Sequence, residues 1–394
     1  MFGYGLLSVV LVLYLVELGI DGFGVGLILT LTLVGDAAIS LWLTTRADRI
    51  GRRRVLLVGA ALMLLAGVVF AVTRDPWILL LAATVGVISP SGNEVGPFLA
   101  VEQASLSQTV PDRDRTRVFG WYNLVGSLAT ASGALAAGFI AQALQATGSS
   151  VVDSYRGVVI GYAVVGLSLA ALFRRLSPAI EVPAARSTAV AGRLGLHRSR
   201  GIVLRLAALF SLDAFAGGFV MQSLIAYWFH LRFGADPATL GAIFFAANVL
   251  AGFSALAAAR LAARIGLINT MVFTHLPSNV LLMAVPLMPS LPLAVGVLLA
   301  RFAISQMDVP TRQSYTMAVV DPDERSAAAG VTGIARSLGA AVSPSLATPL
   351  MQSVPLAGLP FLIGGGLKVI YDLLLLRDFR AVRPPEEVRS RRAT

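Results

Sequence analysis

Long apolar runs alternate with short polar interruptions along the whole of this chain. A helix needs about 20 mostly apolar residues to cross the hydrocarbon core of a bilayer, and it must pair every backbone amide within its own segment. About twelve runs meet that length, and the pattern predicts spans at 2–19, 23–45, 53–73, 77–108, 116–140, 156–175, 203–230, 237–259, 266–287, 291–319, 326–350 and 357–377. The first run is expected to be a membrane helix and not a signal peptide. It lacks a basic leading region and a clear small-residue cleavage site, and the later spans need its topology.

The pattern also repeats. At an offset of 210 residues, EQASLSQTVPDRDRTRVFG from Glu102 lies on RQSYTMAVVDPDERSAAAG from Arg312, so that Gln103 falls on Gln313, Val110 on Val320, Arg115 on Arg325 and Gly120 on Gly330. At an offset of 215, Arg49 to Gly51 (RIG) lies on Arg264 to Gly266 (RIG). Six helices followed by six equivalent ones describe a two-bundle transporter with a site between its halves. The expected organisation is an N-terminal six-helix bundle at 1–175, a cytoplasmic linker at 176–202, a C-terminal six-helix bundle at 203–380 and a basic tail at 381–394. The fold class is thus an all-α membrane protein of twelve transmembrane helices in two pseudo-symmetric bundles.

Composition agrees, with 56% hydrophobic and only 13% charged residues. A net charge of +10 would suit a nucleic-acid binder only if the basic residues shared one soluble face. Here they occupy alternate connections: Arg46, Arg49 and Arg52 to Arg54, then Arg113, Arg115 and Arg117, then the central segment, then Arg260 and Arg264, and finally the tail. By the positive-inside rule both termini are cytoplasmic. Arginine is used almost to the exclusion of lysine, which suggests a high-GC bacterial source, and the helical spans imply an inner-membrane location. The chain has no cysteine and three scattered histidines, His197, His230 and His275. It shows no phosphate-binding glycine loop and no zinc-ligand spacing, so neither an enzyme, nor a cofactor, nor an ATP-driven pump is expected.

The second-to-third connection reads LTTRADRIGRRRV, with Thr44, Asp48, Arg49, Gly51, Arg52, Arg53 and Arg54. It resembles the signature Gly-x-x-x-Asp-Arg-x-Gly-Arg-Arg/Lys-Arg/Lys of the major facilitator superfamily, with Thr44 standing where the signature has its first glycine. Helix count, repeat and charge placement extend the resemblance over the whole chain. The resemblance implies that helices one, four, seven and ten line the path. It also implies that Asp48, Arg49, Gly51, Arg52, Arg53 and Arg115 belong to a cytoplasmic gate motif whose charges break and reform as access alternates. A surface ion pair is worth about 0–1 kcal/mol, so such a cluster biases a gate without locking it. The competing reading is that these arginines only enforce topology.

Ionisable residues at bilayer depth are costly and default to functional hypotheses. The candidates for proton coupling or the substrate cavity are Asp36, Glu94, Asp213, Arg301, Asp308 and Arg336. Glu94 sits in SPSGNEVGP, where prolines and glycines disturb the helix beside a carboxylate. Arg301, Asp308 and Arg312 fall at i, i+7 and i+11 and share a helical face; the alternative is that Arg301 and Asp213, or Asp308 and Arg312, only staple helices. Lys368 and Asp372, four apart, are expected to form an ion pair within one helix, and His275 is read as structural. Tyr4, Tyr14, Gln222, Tyr227, Asn248 and Gln306 are further candidates for lining the substrate space.

These features point to a secondary active transporter moving a small organic solute by alternating access. The leading expectation is proton-coupled export of drug-like or amphipathic compounds; the alternative is a carrier of an anionic metabolite bound by Arg301 and Arg336. Expected partners are a small-molecule substrate, protons and the lipid bilayer, with no nucleic acid, and the chain is expected to act as a monomer. Against export, the fifth helix, GWYNLVGSLATASGALAAG from Gly120, lacks the Gly-Pro pair of the antiporter signature, and the fourth lacks that group's embedded arginine.

Overall fold

The computed structural model describes residues 1–44, 46–92, 98–110, 112–177, 180–181, 197–321 and 324–382. Its first helices are α1 (Phe2–Glu17), α2 (Gly22–Thr44), α3 (Ala47–Ile50), α4 (Arg52–Val72), α5 (Pro76–Val85), α6 (Phe98–Thr109), α7 (Asp112–Ala146) and α8 (Val151–Phe173). They are followed by α9 (Arg200–Gly218), α10 (Gln222–Phe233), α11 (Pro237–Ile265), α12 (Leu267–Ala284), α13 (Leu291–Ser305), α14 (Asp308–Ala318), α15 (Arg325–Val342), α16 (Pro344–Gln352) and α17 (Leu359–Phe379). Among the described residues nine helical stretches are long and apolar enough to cross a membrane, and α1 and α5 are shorter apolar helices.

With α3 a turn inside a connection, and with the pairs α5–α6, α9–α10, α13–α14 and α15–α16 each one interrupted segment, the helices make the twelve segments that the apolar runs predict. The interruptions have local causes. Pro344 opens α16 and Pro310 lies in the first turn of α14, where a missing N–H and a fixed φ are tolerated but a continuing helix is not. Gln306 and Met307 therefore separate Arg301 from Asp308 and Arg312, and the single unbroken face expected for helix ten is two helices meeting at a bend.

The chain forms two compact units, the first from residues 1–190, 221–246 and 344–352, the second from 191–220, 247–343 and 353–394. In the first, α1 is buried from Gly3 to Tyr14 and packs on α7, α8 and α10. Lipid tails are as apolar as leucine, so helices associate in a membrane by close van der Waals fit, often through small residues. A methyl on Gly133 would strike the Phe2 carbonyl, one on Gly35 the Thr84 carbonyl, and one on Gly26 the backbone of Pro344 and Ser345. In the second unit α9 packs on α15 and α17, and α12 packs on α13, α14 and α17. Leu206, Phe210, Met271, Tyr315, Tyr371 and Leu375 meet there in a core cluster. The outward faces carry large apolar side chains such as Val72 and Trp77, 76% and 75% exposed, as a surface that meets lipid requires.

The repeated RIG tripeptide takes the same local form twice. Gly51 (φ 101°) caps the start of α4 and Gly266 (φ 86°) the start of α12, in a backbone region that side chains with a Cβ rarely enter. Buried hydroxyls return to the helix that bears them: Thr32 bonds the Ile28 carbonyl, Thr274 that of Thr270 and Thr348 that of Pro344, which satisfies polar groups that have no water to turn to.

Candidate functional site

The second unit gathers buried charges from several helices. On α9, Leu206, Phe210 and Asp213 follow one another at four and three residues and share a face. Burying that stripe against α15 and α17 takes Asp213 inside with it, to 4% exposure. The same logic turns Lys368, Tyr371, Asp372 and Leu375 of α17 inward, and Asp308, Arg312 and Tyr315 of α14.

Asp213 is the hub. Its Oδ1 accepts from Lys368 Nζ at 2.5 Å, and its Oδ2 from Arg312 Nη1 at 3.2 Å and Arg336 Nη1 at 3.4 Å. Arg312 Nη1 also donates to Asp308 Oδ2 at 3.0 Å. Beside this network, His275 Nδ1 lies 2.9 Å from Asp372 Oδ1, and Asn279 Nδ2 donates to Asp372 Oδ2 at 2.9 Å. With Nδ1–H given to Asp372, the free His275 Nε2 faces Asp213 Oδ1 at 3.9 Å. Arg301 is buried, with its guanidinium 5.0 Å from the ring of Phe302. Its Nε has no hydrogen-bond partner among the described residues.

Of the sequence candidates, Asp213, Asp308 and Arg336 thus come together, with Arg301 buried in the same unit. The expected Lys368–Asp372 pair is not what forms: Lys368 bonds Asp213 on α9 and Asp372 bonds His275 on α12. Four residues of spacing permits such a pair, but tertiary packing offers each group a buried partner on another helix. Lys368, Asp372, His275 and Asn279 lie in the same buried cluster as Asp213, which the pattern of the sequence did not place together. The available signal was that His275 and Asn279, four apart on one helix, present two polar groups on a single buried face.

In the first unit Asp36 is half-buried and accepts from Ser40 Oγ at 3.3 Å. Glu94 lies outside the described residues, as do the side chains of Asp48, Arg49 and Arg115. Of the residues expected to form a gate motif, Gly51 provides the turn, and Arg52 and Arg53 give their backbone N–H groups to the Glu181 carboxylate at 2.7 and 3.1 Å. The Arg52 guanidinium reaches the Ile180 carbonyl at 3.2 Å and that of Arg53 the Arg174 carbonyl. A parallel arrangement closes the start of α9, where Glu324 accepts from the backbone N–H groups of His197, Arg198 and Ser199 at 2.5, 2.7 and 2.9 Å. Burial pushes the Glu324 carboxyl up, but these donors outweigh it and hold it at about 2. Of the lining candidates, Tyr14 donates to the Phe70 carbonyl at 2.7 Å and Gln222 to Ser8 Oγ at 2.7 Å. Among the described residues no group of three or more His, Cys, Asp or Glu could hold a metal ion.

A family model described as Major Facilitator Superfamily matches residues 1–344. A protein of Saccharomyces cerevisiae described as uncharacterized membrane protein YJR124C is 29% identical over 409 aligned positions, spanning 96% of this chain and 91% of that one. Quinolone resistance protein NorA of Staphylococcus aureus is 25% identical over 140 residues, 36% of this chain and 35% of NorA. Among solved structures, that of a D-xylose-proton symporter superposes with a TM-score of 0.73 at 15% identity, over 95% of this chain and 94% of that one. This last likeness is one of fold.

Proposed function

The chain belongs to the Major Facilitator Superfamily, and we propose that it is a secondary carrier that moves a small organic anion together with a proton by alternating access. The charge balance around Asp213 carries the reading. Among the described residues, the cationic Arg312, Arg336 and Lys368, with Arg301 under the influence of Asp308 and Asp213, stand with the carboxylates of Asp213, Asp308 and Asp372, which leaves one positive charge over while His275 is neutral. An uncompensated buried charge costs several kcal/mol. Arg301, whose Nε has no hydrogen-bond partner among the described residues, and Arg336, whose side chain is 35% exposed, are the groups an incoming carboxylate or phosphate would engage, because a guanidinium is a fixed fork that stays charged. Two unit charges about 4 Å apart attract by about 4 kcal/mol at an effective dielectric constant of 20. A proton on His275 Nε2 would add a further cation beside the Asp213 Oδ1 that Lys368 holds, so that the shared carboxylate would hold Arg336 at Oδ2 less strongly and leave it to the anion. Proton and anion then bind together, and the gradients set the direction.

The carrier would work in a bacterial inner membrane, with both termini and the arginine-rich connections cytoplasmic. Gly22 N–H bonds Gln352 Oε1 at 2.7 Å and Thr30 Oγ1 bonds Ser345 Oγ at 2.7 Å. Both contacts tie α2 to α16 within the first unit; the resemblance of their segment to the superfamily signature supports Asp48, Arg49, Gly51, Arg52, Arg53 and Arg115 as a gate at the cytoplasmic end. The second reading, proton-coupled export of drug-like or amphipathic compounds, is favoured by the similarity to NorA. The two are separated by ligand-induced thermal stabilisation of the purified protein, using organic carboxylates, phosphate monoesters and lipophilic cations, with Arg301→Ala alongside. Anion stabilisation that Arg301→Ala abolishes is expected. Stabilisation by lipophilic cations alone, unchanged in the variant, overturns the anion reading in favour of export.

A further inference from the structure

Within the first unit α4 and α8 lie side by side. A methyl on Gly67 of α4 would come within 2.8 Å of Ala163 on α8, and one on Gly166 of α8 within 2.9 Å of the Leu64 backbone, so the two helices pack in near contact. Their outward faces are continuous stripes. On α4, Arg54, Val58 and Leu65 follow one another at four and seven residues, and all are exposed. On α8, exposed Val164, Leu167 and Ala171 lead, at three and four residues, to Arg174 and Arg175, exposed as well. The chain enters α4 at the end where it leaves α8, and the Arg53 guanidinium ties the two by donating to the Arg174 carbonyl. Both apolar stripes therefore run into arginine at the same end of the unit.

These arginines have no acidic partner. Among the described residues no carboxylate pairs with Arg54, Arg174 or Arg175, and that of Glu181 is turned to the backbone amides of Arg52 and Arg53. The turn itself does not require arginine in the stripe: at its repeat in the second unit, Asn269 of α12 stands where Arg54 does and gives its Nδ2 to the Ile265 carbonyl. Guanidinium groups take phosphate as a fixed fork, and basic clusters between membrane helices hold acidic lipid headgroups. A soluble anion would leave the apolar stripes unused, and a zwitterionic lipid would bring an ammonium against the arginines. One phosphate can meet the arginine of one helix; two phosphates joined through a glycerol can meet both. We propose that the α4–α8 face binds a phospholipid with two phosphates, its acyl chains on the apolar stripes and its headgroup on Arg54, Arg174 and Arg175.

The test is native mass spectrometry of the full-length protein released from detergent micelles, titrated with cardiolipin, phosphatidylglycerol and phosphatidylcholine of the same acyl chain. Saturable cardiolipin binding at least about tenfold tighter than that of phosphatidylglycerol is expected, with phosphatidylcholine weaker still. The triple variant Arg54→Gln, Arg174→Gln, Arg175→Gln should lose at least about tenfold in cardiolipin affinity. Arg377→Gln, at the end of α17 in the second unit, where Asp378 lies 3.4 Å away, should change it by no more than about twofold. Arg54→Asn, which gives α4 the residue of its repeat, should lose about threefold and serves if the triple variant does not fold. The comparison of lipids needs no variant. Cardiolipin held no more tightly than phosphatidylglycerol, binding undiminished in a folded variant of the cluster, or an equal loss in Arg377→Gln would each overturn the proposal.

Discussion

Replacing Asp213 with asparagine removes the negative charge that Lys368, Arg312 and Arg336 share at 2.5, 3.2 and 3.4 Å. Breaking a buried pair costs about 3–5 kcal/mol because the remaining charge is left uncompensated. Three cations lose a partner here, yet the cost should be that of about one. Arg312 keeps Asp308 at 3.0 Å, and Arg336 has a side chain 35% exposed. Lys368, with its side chain 9% exposed, bears most of the loss, so Asp213→Asn should cost about 3–5 kcal/mol. Lys368→Met, which keeps an unbranched chain of similar length, leaves Asp213 with two arginines and should cost less, about 1–3 kcal/mol. The double variant should recover about 1–3 kcal/mol relative to the sum of the two. Equilibrium unfolding by sodium dodecyl sulfate in mixed micelles, followed by tryptophan fluorescence, measures all three. Lys368→Met costing as much as Asp213→Asn, or single costs that add to within about 0.5 kcal/mol, would refute the picture of Asp213 as a shared counter-ion.

Other consequences are equally checkable. The folded Glu324 carboxyl is held at about 2 against an ordinary 4.5, so its contribution is complete above about pH 4.5 and is lost as the pH falls toward 2; the difference in melting temperature between the unaltered protein and Glu324→Gln should be flat from pH 5 to 8 and shrink below that. Glu181→Ala should speed hydrogen exchange at the Arg52 and Arg53 amides, which lose bonds of 2.7 and 3.1 Å, and leave those of α12 unchanged. Gly35→Val places a branched side chain against the Thr84 backbone, and its cost should exceed the roughly 1–3 kcal/mol of ordinary overpacking, read as loss of monodisperse protein on size exclusion. Asp213→Asn should also raise anion affinity about tenfold by freeing Arg336, measured by the same thermal-shift panel.

Segment count, repeat and superfamily were legible because bilayer thickness imposes a length on every span, and because Gly51 and Gly266 are required at equivalent turns. The charge hub was only half legible. Asp213, Asp308 and Arg336 stand out as ionisable residues in apolar runs, but a sequence does not say which partner each will choose. Lys368 and Asp372 satisfy the spacing for a pair on one helix, and only packing of α17 on α9 and α12 sends them to Asp213 and His275. The clamps by Glu181 and Glu324 were invisible for a different reason: their acceptors meet backbone amides, which have no residue signature.

The central claim is that an organic anion and a proton travel together through the basic cluster of the second unit. The most direct measurement uses proteoliposomes loaded with a pH-sensitive dye, to which the most strongly stabilising anion of the panel is added outside. The account predicts acidification of the lumen that saturates with anion concentration and is lost in Arg301→Ala. Anion uptake with no proton movement, or acidification that persists undiminished in Arg301→Ala, would contradict it.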